Sequence, residues 1–175
     1  MRSMEGAIYL DIDSCAGCGA CVVACMDQND IYPEKGQPAL RRIYRVEEGE
    51  SPDAEILYAS TACMHCEDSP CVMACPTGAI AMDSRSGAVL VNGELCIGCH
   101  SCALACPFGV PRYDGGGKMQ KCGLCVERVE AGLQPACVRV CPTGALKFGP
   151  VNELLGEREA RYAGNVVRAA HRGVR

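Results

Sequence analysis

Apolar positions along the chain come in short bursts separated by turn-forming residues, with no sustained helical period before residue 150. AIYLDID (7–13) reads as a strand leading into the stretch CAGCGACVVAC. ALRRIYRV (39–46) and AEILYAS (54–60) flank a Gly/Pro/acidic turn, which predicts a hairpin. GAIAMDSRSGAVLVNGEL predicts a second hairpin turning at DSRSG, and ALKF (145–148) a closing strand. Segments such as CVVAC and CALAC predict single helical turns, ended by the proline that follows the last cysteine. YDGGGKMQKC (113–122) reads as a flexible connection. The tail beyond Val151 is amphipathic and arginine-rich, either a solvated terminus or a docking arm.

Composition sharpens this picture. Sixteen of the 175 residues are cysteine, Trp is absent and Phe occurs twice, so an aromatic core is excluded. Twenty glycines and ten prolines favour turns and short elements over long helices. Metal or disulfide must supplement apolar burial in such a chain. The opening MRSMEGAIYLDIDSC lacks an export-signal pattern, the Arg41–Arg42 pair lies too deep for one, and no apolar run spans a membrane. A cytoplasmic location is therefore expected, where clustered cysteines hold metal rather than disulfides. A net charge of −4 gives no footprint for nucleic acid.

The cysteines form four groups of four: Cys15, Cys18, Cys21, Cys25; Cys63, Cys66, Cys71, Cys75; Cys96, Cys99, Cys102, Cys106; and Cys122, Cys125, Cys137, Cys141. Groups one and three share C-x2-C-x2-C-x3-C, whereas groups two and four widen the middle gap. Every group ends in C-x3-C, followed by Pro76, Pro107 or Pro142 in three cases and by Met26 after Cys25. CPTGA recurs at 75–79 and 141–145, so the sequence is internally duplicated.

In C-x2-C-x2-C the chain wraps a cubane closely and offers three thiolates. The C-x3-C step then starts a helical turn that points away, placing the fourth cysteine to serve a neighbouring cluster. Structural zinc uses two separated pairs per site and leaves the uniform triples without a reason. Disulfides need an oxidising compartment, and thiol catalysis needs one exposed reactive pair. Four [4Fe–4S] clusters are the reading the spacing favours.

With its x4 gap in group two and x11 gap in group four, this pattern resembles the four-cluster electron-transfer subunits of molybdenum and tungsten bis-pterin oxidoreductases. These include the iron–sulfur subunits of dimethyl sulfoxide reductase and formate dehydrogenase; the small polyferredoxin subunits of tungsten aldehyde oxidoreductases are also similar. The resemblance implies an α+β fold of two metal-stabilised, ferredoxin-like two-cluster modules, with short strands, hairpins and short helices. It divides the sequence into 1–25 plus 107–150 (clusters I and IV), a hairpin insert at 26–62, residues 63–106 (clusters II and III), and a docking tail at 151–175. It further implies crossed ligand sets: Cys15, Cys18, Cys21 and Cys141 for cluster I; Cys122, Cys125, Cys137 and Cys25 for IV; Cys63, Cys66, Cys71 and Cys106 for II; Cys96, Cys99, Cys102 and Cys75 for III. The implied spatial order is I, IV, II, III, with I nearest the pterin.

The expected function is an electron relay between a tungsten- or molybdenum-pterin catalytic subunit, of aldehyde oxidoreductase or formate dehydrogenase type, and a flavin, ferredoxin or quinone-linked partner. The alternative is a free-standing polyferredoxin carrier, possibly self-associating into a longer wire. No catalytic acid–base constellation or nucleophile motif stands out. Lys121, His100 and Arg139 are candidates for tuning cluster potentials. His65 is expected to pack or hydrogen-bond rather than ligate, and Met64 and Met73 to pack around clusters. Gly17, Gly19, Gly98 and Gly123 are candidates for close backbone approach.

Overall fold

A computed structural model describes residues 6–172. Its strands pair only in twos. β1 (Ala7–Leu10) pairs antiparallel with β8 (Leu146–Gly149), aligning Ala7 with Gly149 and Leu10 with Leu146. The expected opening and closing strands therefore tie the two ends of the cysteine-rich region together. β2 (Arg42–Glu48) and β3 (Glu55–Thr61) form the inserted hairpin, their ends falling after those the sequence suggested (39–46 and 54–60). β4 (Ile80–Met82) and β5 (Val89–Val91) form the second, closed by the Gly87 N–H donating to the Asp83 carbonyl at 2.9 Å.

The helices are short because the cysteine repeats make them so. α2 (Pro70–Met73), α3 (Ser101–Ala105) and α5 (Ala136–Arg139) each span about one turn, with Pro76, Pro107 and Pro142 just beyond. α1 (Ala20–Gln28) runs nine residues because Met26 replaces that proline. It stops where Asp30 turns left-handed (φ 49°) and the Ile31 N–H reaches back to the Met26 carbonyl at 2.9 Å, a Schellman closure. The side chain of Asn29 caps the Cys25 carbonyl at 2.6 Å. α4 (Val126–Glu130) lies inside the long gap of group four.

α1 packs on α5, and α2 packs on α3. The burial pattern follows the same division. One small core joins Cys21, Cys137, Val138 and Leu146, with Ile8, Leu10, Val22 and Ile43 against it. The other joins Ala79, Ile80, Val89, Cys96, Cys102 and Met119, with Val72, Val91 and Tyr113 against it. Cysteines are members of both cores, so apolar burial and the cysteine sites share the same interior.

Two expectations are corrected. Residues 113–122 are not a flexible connection: β6 (Arg112–Tyr113) and β7 (Met119–Gln120) form a tight hairpin. The Asp114 carboxylate organises its turn, accepting the N–H groups of Gly116 and Lys118 at 2.9 Å each. The fold also contains one long helix, α6 (Val151–Arg172), where composition predicted only short elements. It packs on β8, and Arg161 pairs with Asp11 and Asp13 beside β1. Leu155, Tyr162, Val166 and Val167 on it are exposed. Residues 173–175 of the expected docking tail lie outside the described residues. Among those described, no helix is long and apolar enough to cross a membrane.

Candidate metal centres

The four groups share a backbone signature that the sequence only half reveals. The residue before the second cysteine is left-handed in all four: Gly17 (φ 65°), His65 (48°), Gly98 (68°) and Leu124 (60°). This conformation reverses the backbone between the first two thiols of each group. In group four it falls on Leu124, not on the predicted Gly123, so glycine there is not what permits the turn. At Gly98 the fit is tight, since a Cβ would lie 2.6 Å from the Gly117 carbonyl oxygen.

The repeated CPTGA builds a thiolate cradle. Burial raises the Cys141 thiol, but N–H groups of Leu146, Thr143 and Ala145 and the Thr143 hydroxyl outweigh it, holding the thiol below its ordinary range. Cys75 is treated alike by the Thr77 hydroxyl and the N–H groups of Ile80, Thr77 and Ala79. Each Thr Oγ1 lies 3.7 Å from its sulfur. The glycines, Gly78 and Gly144, take φ 67° and 65°, turning the backbone so that successive N–H groups face one sulfur.

Closing cysteines meet the triples of other groups. Cys15, Cys18, Cys21 and Cys141 line one cavity, with Ile43 and Ser60 in its wall. Cys96, Cys99, Cys102 and Cys75 line another, with Tyr113 and Met119. Cys25 sits among Cys122, Cys137 and Cys125: burial first, then these neighbours, push its thiol up to about 12. Cys71 is raised by burial, then by Cys63 and Cys106. Cys66 follows His65 in the same turn.

The sets are also neighbours of one another. Cys21 raises Cys137, and Cys63 raises Cys122, which burial above all pushes up to about 11. Cys18 and Cys99 are exposed, whereas Cys25, Cys122 and Cys137 are buried.

This donor set fits iron–sulfur cubanes. All sixteen cysteines are free thiols. Among the described residues no three His, Cys, Asp or Glu converge as on a single ion; in the two cavities, four thiols stand apart around a shared space. Among the described residues, two buried side-chain polar atoms lack a protein partner, Arg41 Nε and His65 Nε2. Both belong to residues beside cysteine sets, where sulfur of an anionic cluster would accept them.

The other candidates sort by burial. Lys121 is buried (7% exposed), its ammonium held by the carbonyls of Val89 and Cys122. It acts electrostatically on Cys71 and His65. His100 lies on the surface with its ring 3.9 Å from that of Tyr113, which hydrogen-bonds the Cys102 sulfur at 3.3 Å. Arg139 points into solvent. Met64 and Met73 are corrected from cluster packing to surface positions, 58% and 77% exposed. Arg41, considered in the sequence only as part of an export signal, is 3% exposed. Only the hairpin's fold puts it there, so nothing local marked it.

The paired cores and cysteine-lined spaces define a ferredoxin-type iron–sulfur protein. The chain belongs to the 4Fe-4S dicluster domain family, two models of which match residues 54–151 and 14–80. Two diclusters make four [4Fe–4S] clusters, the number for which sixteen cysteines suffice. It is similar to the nitrate-inducible formate dehydrogenase iron-sulfur subunit of Escherichia coli (40% identity over 91% of this chain and 59% of that protein). It is also similar to one of the polypeptides of the anaerobic dimethyl sulfoxide reductase of Shigella flexneri (42% identity; 83% and 74%). One of the subunits of the sulfite dehydrogenase of Allochromatium vinosum is 37% identical over 84% of this chain and 69% of its own length. The chain thus spans under two thirds of the length of the formate dehydrogenase subunit.

Proposed function

We propose that the chain is a non-catalytic electron-transfer subunit, relaying single electrons between a molybdenum- or tungsten-pterin catalytic subunit and a second redox partner such as a flavin protein or ferredoxin. The carrying observation is that two cysteine-lined cavities each bring three thiols of one group to face the closing cysteine of another. On this reading Cys15, Cys18, Cys21 and Cys141 hold one cluster, and Cys122, Cys125, Cys137 and Cys25 its module partner. Cys63, Cys66, Cys71 and Cys106 hold the third, and Cys96, Cys99, Cys102 and Cys75 the fourth. When bound, such clusters supply one-electron uptake and release without a substrate site.

The protein's own residues supply position and environment. The α1–α5 and α2–α3 contacts support two modules, each closed by a reciprocal pair of cysteines. The nearness of Cys21 to Cys137, and of Cys63 to Cys122, supports a row in the order Cys141 set, Cys25 set, Cys106 set, Cys75 set. The exposed Cys18 and Cys99 suit its two ends, where electrons enter and leave. The names of the relatives, from a formate dehydrogenase and a dimethyl sulfoxide reductase, support the pterin-enzyme partner.

The anaerobically purified protein should contain about sixteen iron atoms, and co-purify at fixed stoichiometry with a large pterin protein. Paramagnetic resonance of serine variants tests the crossing directly. Cys25→Ser and Cys122→Ser should perturb one common signal, and Cys21→Ser and Cys141→Ser another. A Cys25→Ser variant that perturbs the signal of Cys21→Ser instead would overturn the assignment. Recovery of the loaded protein alone, exchanging electrons with several enzymes, would favour a free carrier.

A further inference from the structure

Arg41 is the buried cation whose environment the relay alone does not explain. It is 3% exposed, and no carboxylate is among its partners; the ion pairs found among the described residues belong to Arg45, Arg85, Lys147 and Arg161. Guanidinium stays charged at any pH a protein survives, so this charge is taken from water without a protein counter-ion. Its Nη1 donates to the Ser60 hydroxyl at 2.9 Å and to the Ser60 carbonyl at 3.4 Å, while Nε has no partner among the described residues. The Ser60 hydroxyl in turn lies 3.3 Å from the Cys21 sulfur, and the guanidinium charge also reaches Cys137. Its charge is also felt at Cys25 and Cys122.

The hairpin creates this arrangement. Arg41 immediately precedes β2, and Ser60 lies on β3, where Arg42 pairs with Thr61 and Ile43 with Ser60 at the base of the ribbon. Most of β2 is exposed, so the ribbon contributes little core; its base delivers one charge to the junction of two cysteine sets.

We propose that Arg41 is a shared counter-ion of the Cys141 and Cys25 cluster sites, delivered by the inserted hairpin, and that it raises the reduction potential of both. This rests on the ligand assignment above. A cluster held by four thiolates is anionic and gains one further negative charge when it accepts an electron, so a fixed nearby cation stabilises the reduced form more than the oxidised one. Burial leaves that field weakly screened by salt. A cation shared by two sites moves both in the same direction. It thereby preserves the balance between them while offsetting the pair from the Cys106 and Cys75 sites. The hairpin is then an electrostatic insert rather than a spacer.

The test compares Arg41→Gln, which removes the charge, with Arg41→Lys, which keeps it, in the full-length protein. Iron content and a reductive titration followed by paramagnetic resonance are the readouts. In Arg41→Gln two of the four reduction steps should become at least tenfold less favourable, about 59 mV for a one-electron couple, with Arg41→Lys within threefold of the parent. Loss of iron from two sites in Arg41→Gln, with full loading of Arg41→Lys, supports the same conclusion. Identical behaviour of the two variants, whether both keep the parent potentials or both lose the same clusters, overturns it. A parent protein without about sixteen iron atoms would instead overturn the ligand reading on which the proposal rests.

Discussion

The backbone N–H of Val89 donates to Nδ1 of His65 at 3.0 Å, joining the second cysteine group to the strand that follows its hairpin turn. The imidazole is therefore neutral, with its proton on Nε2; burial, then Lys121, push its pKa down to about 3. His65 thus serves as a hydrogen-bond acceptor at Nδ1, in keeping with the role expected of it in CMHC.

Replacing His65 with Phe fills the space but leaves the Val89 N–H buried without an acceptor. The expected cost is about 1–3 kcal/mol. It should appear as faster bleaching of cluster absorbance in guanidinium, with iron content unchanged at the start of the experiment.

Gly98 has a left-handed backbone and no room for a side chain, because a Cβ would meet the Gly117 carbonyl oxygen at 2.6 Å. Gly19 is also left-handed, yet faces open space. Gly19→Ala should cost about 1–2 kcal/mol from conformation alone and retain full iron content. Gly98→Ala adds a backbone clash and should lose iron from the Cys75 set.

The Lys121 ammonium is buried beside Cys122 and bound to two carbonyls, and its charge reaches Cys71. Lys121→Gln should make at least one reduction step about tenfold less favourable, some 59 mV. Unchanged potentials in all four clusters would remove Lys121 from the list of tuning residues.

Asp11 ties β1 to α6. Its hydrogen bond from Ser14, and then the hydrogen bond and charge of Arg161, hold its carboxyl below the ordinary carboxylate value of 3.8 despite burial. A depressed carboxyl contributes stability that is fully present above that ordinary value and is lost as pH falls through the depressed one. Hydrogen exchange in α6 should therefore accelerate below about pH 4, while Asp11→Asn should show the faster exchange already at neutral pH. Equal protection of α6 in parent and variant at neutral pH would detach this ion pair from the docking of the helix.

What the sequence determined by itself was local. Spacing of three residues places successive thiols on one wrapping turn, proline ends each C-x3-C helix, and Met26 lets α1 continue; each is a rule of the backbone within a few residues. The strands were legible for the same reason, while the hairpin at 112–120 was not, since two-residue strands carry too little pattern and three glycines in a row imitate a flexible stretch. Tertiary structure alone brought Cys141 to the cavity of Cys15, Cys18 and Cys21 and Cys75 to that of Cys96, Cys99 and Cys102, and decided that Leu124 rather than Gly123 takes the left-handed turn and that Arg41 is interior while Arg139 is not. These depend on burial and long-range packing, which bring together residues from distant parts of the sequence and leave no mark on the spacing around any one of them.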